Sequence, residues 1–445
     1  MVRRPVFSPA LRAWGHRHRL PLLVGTLFAV FAWQWAMTLS DPRDFGVYYK
    51  TGARVISGAP IYDPNDFTKL SYKYSPVFAF LFVPLSLVPL KVAQTVWFAV
   101  NFLLTVALPP LAYALLTSPA ERASAKPDHR LWVSVLALAL ASRYLLLNAT
   151  AGQVVALQLA LMLAGVLLVE RDRAAAGGAL LGLAILVKIS PVLLLGHLLL
   201  RRRWSAIGWT ILATAGWALV PALRYGFVEN VRLHLEWLDF IQAGNTLDQL
   251  VRSQNQSMLS LLTRLVVETP YRINLIALPI ERVTPFYGPV IFGGFALLLV
   301  ALHVWLRRAP GPAQDARANV SLVAILIYMT ISAPLAWRYN YLTILVPWVF
   351  VADRLLRGQR TRRTWAIAIL SVALGALTTR DVLGKALETW THVAGVEMWA
   401  GILAVYACVD LVCSRASEGA SRTAPSGSPE PSPAAAPTRS TTGTR

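Results

Sequence analysis

The chain has 445 residues, of which 56% are hydrophobic and 14% charged, and its net charge is +20. Soluble domains carry roughly 25% charged residues, so an ordinary soluble domain is excluded. The basic residues lie in short clusters between long apolar runs, not in one exposed patch, which also excludes a nucleic-acid binder. This is the positive-inside pattern of an all-α polytopic membrane protein.

Residues 1–19 hold Arg3, Arg4, Arg12, Arg17 and Arg19 and no acid, which predicts a cytoplasmic amino terminus. Leu20 to Leu39 carries no charge and is long enough to cross a bilayer. No small-residue cleavage site ends it, so it reads as an uncleaved anchor. The segment Ser40 to Pro76 therefore lies outside. It holds Asp41, Asp44, Asp63 and Asp66 interleaved with Tyr48, Tyr49, Tyr62, Tyr72 and Tyr74. Two readings fit this loop. Its acids can cap short helices and turns, or one of them, Asp44 foremost, can be a catalytic carboxylate.

Val77 to Leu90 is apolar but short and is broken by Pro84 and Pro89, which suits a re-entrant or interfacial helix. Val92 to Leu116 crosses inward to a loop carrying Arg122, Lys126 and Arg130. Leu131 to Leu147 runs out to the turn Asn148–Gln153, and Val154 to Val169 returns to Arg171 and Arg173. Residues 174–200 have basic clusters at both ends and so predict a hairpin with Lys188-Ile189-Ser190-Pro191 at its tip, where Pro191 disfavours helix for the residue before it. Trp204 to Leu223 leads to a second outer loop, residues 224–285, with surface-lying helices expected and the element Asn255-Gln256-Ser257. Runs near 287–306, 319–336, 341–353, 365–379 and 395–413 bring the expected total to about twelve crossings with both termini cytoplasmic. The tail 414–445 is rich in Ser, Pro, Ala and Thr and reads as disordered. No internal repeat stands out. Cys408 and Cys413 read as small apolar residues of a membrane helix, and the sequons at Asn148, Asn255 and Asn319 carry no functional reading.

On this topology the first loop, the Asn148–Gln153 turn, the Lys188 tip, the Asn255 element and Trp337-Arg338-Tyr339-Asn340-Tyr341 share the outer side. Lys188 is the one charge in a 27-residue apolar run, and polar groups inside membrane segments tend to mark function. Its ammonium either snorkels to the interface or meets an anionic lipid headgroup. Arg338, Arg252 and Arg264 offer a phosphate the same service, with a guanidinium fork suited to it. An acid and several cations on one face suit glycosyl transfer from a lipid phosphate. A carboxylate takes the proton of the acceptor hydroxyl, and cations stabilise the departing phosphate. No hydrolase, zincin or Gly-rich nucleotide motif competes.

The order Asp44-Phe45-Gly46-Val47-Tyr48-Tyr49, Gly58-Ala59-Pro60-Ile61-Tyr62-Asp63 and Tyr74-Ser75-Pro76 resembles glycosyltransferase family 87, the bacterial polyprenol-phosphate-mannose-dependent α-1,2-mannosyltransferases. Gly152-Gln153-Val154, Lys188 through Pro191 and Asn255-Gln256-Ser257 are similar to further family motifs in the same order, so the resemblance runs from about Leu20 to Arg363. It implies a GT-C-type bundle over residues 20–413 with outer loops at about 40–76 and 224–285. It also implies a donor phosphate held in the outer leaflet, transfer with inversion, and Asp44 as catalytic base. Two departures stand out. Many members have an acid and histidines after the tryptophan; this chain has Arg338-Tyr339-Asn340-Tyr341, so Arg338 becomes a candidate phosphate contact. The lysine element reads Lys-Ile-Ser-Pro, which displaces the bend.

The resulting expectation is an integral glycosyltransferase of a bacterial plasma membrane, moving a hexose such as mannose from a polyprenyl-phosphate donor to a glycolipid or glycan acceptor. Asp44 is the base and Asp41 its alternative. Lys188, Arg264, Arg338, Gln153, Asn255 and Gln256 are candidate substrate or phosphate contacts, whereas Phe45, Tyr48 and Tyr49 pack the loop. No cofactor is implied: the loop acids could hold a divalent cation, but no ligand spacing demands one. The bilayer is the remaining partner, and nucleic acid is not one. The rival is a lipid-linked-sugar flippase or transporter, which would also use intramembrane cations but needs polar access from both faces.

Overall fold

The computed structural model describes residues 9–63, 71–243, 246–308, 312–359 and 361–423. In chain order the helices are α1 (Pro9–Thr38), α2 (Arg43–Ser57), α3 (Pro76–Ser86), α4 (Leu90–Leu116), α5 (Pro119–Ala123), α6 (His129–Leu140), α7 (Ser142–Ala151), α8 (Val155–Glu170) and α9 (Ala174–Val187). After a 3-10 turn at Ser190–Leu193 come α10 (Leu194–Leu200), α11 (Trp204–Ala218), α12 (Ala222–Tyr225), α13 (Phe227–Ala243), α14 (Leu247–Val251), α15 (Met258–Val266), α16 (Ile280–Val283), α17 (Tyr287–Arg307) and α18 (Pro312–Ser332). A 3-10 stretch at Arg338–Ile344 leads into α19 (Leu345–Leu356), followed by α20 (Arg362–Val372), α21 (Arg380–Val393) and α22 (Val396–Thr423). Among the described residues there is no strand, only an isolated bridge between Asn255 and Trp337.

Among the described residues six helices are long and apolar enough to cross a membrane: Pro21–Thr38, Leu90–Leu116, Trp204–Tyr225, Ile280–Arg307, Gln314–Ser332 and Val396–Ser414. The count reaches 8 if each of two bent pairs is one span. The expected twelve would need the shorter apolar helices α3, α8, α9 and the Ser190–Leu200 pair to contribute as well. Two runs differ from the expected straight crossings, and a further bend follows the 365–379 run. The Leu131–Leu147 run breaks by 67° at Ala141, and α21 turns 93° away from the helix before it. The 341–353 run becomes α19, 12 residues long and buried along nearly its whole length by α4, α6 and α22. Its apolarity therefore reflects burial inside protein, which hydropathy cannot distinguish from burial in lipid. Helix α22 also continues to Thr423, into the tail expected to be disordered; residues 424–445, like Asp66, lie outside the described residues.

The 174–200 hairpin is present. Helix α9 ends at Val187, Lys188 is extended at φ −158°, and Pro191 opens the 3-10 turn that starts the return. The return brings Arg201 to within 3.3 Å of Glu170, which immediately precedes the outgoing arm. Arg203 likewise meets Asp172 at 2.9 Å, and Arg201 reaches Asp315 at 3.7 Å. With Arg354 on Glu121 and Arg357 on Asp353, these pairs gather the basic loops at one end. The hairpin tip is at the other end, separated by the length of α8, about 24 Å at 1.5 Å per residue.

Candidate active site

Helix α2 is amphipathic. Phe45, Tyr48, Thr51, Gly52 and Val55 face inward at the three-and-four spacing of a helix face. They pack on α3, whose first turn is capped by Ser75. The interface is aromatic: Tyr48 stands edge-on to Phe78 and Phe82, and Phe45 stacks on Trp97 of α4. Gly52 allows the close approach, since a Cβ there would lie 2.2 Å from the Ser86 hydroxyl. With that face fixed, Asp44 sits in the first turn of α2, where the helix dipole favours a carboxylate.

The α7–α8 turn brings the partner. Gly152 has φ +66°, and a Cβ on it would come 2.8 Å from Cβ of Phe45, so glycine is required by both conformation and contact. Trp97 Nε1 donates to the Gly152 carbonyl at 2.8 Å. The amide of Gln153 then points at α2. Its Nε2 donates a hydrogen bond to Asp44 Oδ2, while its Oε1 accepts from Tyr48 and Tyr74, each at 3.3 Å. The two tyrosine hydroxyls lie 2.8 Å apart. Gln153 thus joins one carboxylate oxygen to a buried phenol pair and fixes the direction in which Asp44 faces.

The hairpin tip supplies the cation. Lys188 Nζ donates to Asn340 Oδ1 at 2.9 Å and lies within electrostatic reach of Asp44. The tip is fastened to the first loop by the Ser75 hydroxyl, which donates to the Leu186 carbonyl. Burial pushes the Asp44 carboxyl above the ordinary range; the Gln153 hydrogen bond, Arg43 and Lys188 pull it back in part. A partly desolvated carboxylate with its lone pair aimed and an ammonium within electrostatic reach can accept a proton and face an anionic leaving group.

The other expected contacts are placed elsewhere. Asn255 is fully buried. Its Nδ2 donates to the Pro334 carbonyl and its Oδ1 accepts from the amides of Ser257 and Ala336, pinning the 334–337 strand-like link. Gln256, equally buried, ties Ser253 and His392 carbonyls to the Glu397 amide. Arg264 is inaccessible and donates to the carbonyls of Arg252 and Asn255. The side-chain amides of Asn255 and Gln256 are taken up by backbone groups, whereas Nε and Nη2 of Arg264 are buried and have no partner among the described residues. Arg338 is paired with Glu388 of α21 at 3.4 Å. Asp41 is exposed and paired with Arg43 at 3.3 Å, and Arg252 pairs with Asp248.

Two features were not anticipated. Lys73, between the buried Tyr72 and Tyr74, is lowered by burial and by nearby Arg252, with Asp44 offsetting. It adds a second ammonium to the Asp44 neighbourhood, and its place in the tyrosine-rich loop was the available signal. The other is a buried ionic chain at the α21–α22 junction. Arg143 meets Glu397 at 3.3 Å, His392 meets Glu397 at 3.4 Å, and Glu388 lies 3.9 Å from His392. Among the described residues no cluster of His, Cys, Asp or Glu is arranged to hold a metal ion.

The chain is 26% identical over 420 residues, 89% of each protein, to the polyprenol-phosphate-mannose-dependent alpha-(1-2)-phosphatidylinositol mannoside mannosyltransferase of Mycolicibacterium smegmatis. It is 25% identical over 397 residues to the protein of the same name from Mycobacterium tuberculosis, covering 84% of this chain and 86% of that one. The model of glycosyltransferase family 87 matches residues 72–333, a stretch that includes Lys73, Gln153, Lys188 and the Asn255 element and begins after Asp44. The chain belongs to glycosyltransferase family 87 and is a multi-pass membrane glycosyltransferase.

Proposed function

We propose that the protein transfers mannose from a polyprenyl-phosphate donor to a glycolipid or glycan acceptor, with inversion, in a GT-C-type bundle. The names of the two mycobacterial relatives support the donor and the sugar. The convergence of Asp44, Gln153 and Lys188 carries the mechanism. Asp44 removes the proton of the acceptor hydroxyl as its oxygen attacks the anomeric carbon. The bond from that carbon to the phosphate oxygen breaks, and the polyprenyl phosphate leaves with the electron pair. Lys188 and Lys73 face the charge that develops there, in place of a general acid. Gln153 acts as a positioning residue. The arginine-rich end, by the positive-inside rule, is cytoplasmic, which puts the Asp44 end on the extracytoplasmic face.

The test is mannosyl transfer by purified protein supplied with polyprenyl-phosphate-mannose and a panel of glycolipid acceptors. Asp44→Asn should lower turnover by roughly 10²–10⁴-fold, the usual contribution of a positioned base, while donor binding persists. Asp41→Asn should stay near wild type, because Asp41 is exposed and already paired with Arg43. Equal losses in the two variants would remove Asp44 from the mechanism.

A further inference from the structure

At the arginine-rich end two adjoining cavities take no part in the transfer described above. One is an apolar groove of about 610 Å³, lined by Val24 of α1, Phe102, Val106 and Pro110 of α4, and Leu167 of α8. Pro109 and Pro110 remove two helix donors, so the carbonyls of Thr105 and Val106 lack their usual partners on this stretch of α4. The groove ends at Arg130 and Arg171. Beside it lies a second cavity of about 680 Å³, with several charged side chains, that shares Ala114, Leu167 and Arg171 with it. His197 lines this second cavity, with a buried Nδ1 that has no partner among the described residues.

The arginines at this junction fall into two groups. Arg201 and Arg354 are committed to Glu170 and Glu121, and Arg122 donates to the carbonyls of Ala114 and Thr117. Arg130 and Arg171 are exposed, and among the described residues neither makes an ion pair or a side-chain hydrogen bond. Two such guanidinium groups at the end of an apolar groove match one amphiphile. It has an apolar chain for the groove and a phosphate for the fork of each arginine.

We propose that this groove binds an anionic glycerophospholipid, with an acyl chain along α4 between α1 and α8 and its phosphate between Arg130 and Arg171. In the orientation proposed above the lipid comes from the cytoplasmic leaflet, where anionic headgroups concentrate. That leaflet assignment rests on the proposed orientation; the binding itself does not.

The experiment is native mass spectrometry of the full-length protein in detergent, titrated with phosphatidylglycerol and with phosphatidylcholine of the same chains. One phosphatidylglycerol should be retained in preference to phosphatidylcholine. Arg130→Gln combined with Arg171→Gln should weaken it roughly thirtyfold, about fivefold per arginine. The paired control Arg307→Gln and Arg308→Gln, on another basic turn, should leave it in place. Ala107→Trp, at another residue of α4 that lines the groove, should fill it and weaken binding with both arginines intact, which separates chain packing from charge. Equal retention of the two lipids, or phosphatidylglycerol binding untouched by both Arg130/Arg171 and Ala107 variants, would overturn the proposal. So would displacement of phosphatidylglycerol by a polyprenyl monophosphate through the same arginines, which would assign the groove to the sugar carrier instead. None of these outcomes depends on transferase turnover, so failure here and failure of the catalytic reading are separable.

Discussion

At the scale of single residues, the chemistry depends on how one carboxylate is held. In the proposed mechanism Asp44 acts as base only when ionised, and burial raises its carboxyl above the ordinary range. Turnover should therefore fall as pH drops through a value higher than that of a solvent-exposed aspartate, and be retained above it. The Gln153 hydrogen bond lowers the same group, so Gln153→Leu should move that acid limb further up and also reduce turnover at the plateau by misdirecting the carboxylate. A pH profile of transfer in detergent reads both effects. An unmoved limb with a reduced plateau would mean that Gln153 only supports the fold.

At the scale of elements, the site exists because α2 and the α7–α8 turn approach to contact distance. Gly152→Ala imposes a left-handed conformation on a residue with a Cβ and drives that Cβ to 2.8 Å from Phe45. The expected cost is about 1–3 kcal/mol, with transfer reduced because Gln153 is displaced. Gly58 is also left-handed, φ +77°, but its Cβ would meet open space. Gly58→Ala should therefore lose only the conformational part, about 1–2 kcal/mol, and keep activity. Thermal unfolding of the two variants beside their turnover makes the comparison. The Asn255-Gln256-Ser257 element works at this scale as well: its amides replace missing strand partners for the 334–337 link, which in turn carries Asn340 to Lys188.

At the scale of the whole molecule, the bundle keeps its two ends apart by charge networks of different kinds. The loops at the arginine-rich end are joined by partly exposed pairs such as Arg203 with Asp172, which contribute little individually. The α21–α22 junction is different, because Glu397 is wholly buried against Arg143 and His392. Glu397→Ala would strand a buried guanidinium and should cost about 3–5 kcal/mol. Replacing both partners, Arg143→Met with Glu397→Leu, should recover most of that loss. Unfolding temperatures of the single and double variants decide it; a double variant as unstable as the single would assign the junction's strength to Arg143's bonds with the Gly375 carbonyl and Thr378.

The sequence by itself determined the membrane class, the distinctive first loop and the ordered motifs, because hydropathy, charge placement and motif order are properties of the linear chain. It also announced the 174–200 hairpin through basic residues at both ends, and the pair of Arg201 with Glu170 closes that hairpin. Only the tertiary structure decided which motif residues meet. Gln153 bonds Asp44 and Lys188 lies within its electrostatic reach, while the amides of Asn255 and Gln256, just as polar in sequence, are consumed by backbone groups. A polar side chain's type states that it needs partners, not whether those partners are protein or substrate. The same limit hid the junction of Arg143 and His392, 249 positions apart in the chain, and made the protein-buried α19 look like a crossing. Burial in lipid and burial in protein select the same residues, and only packing distinguishes them.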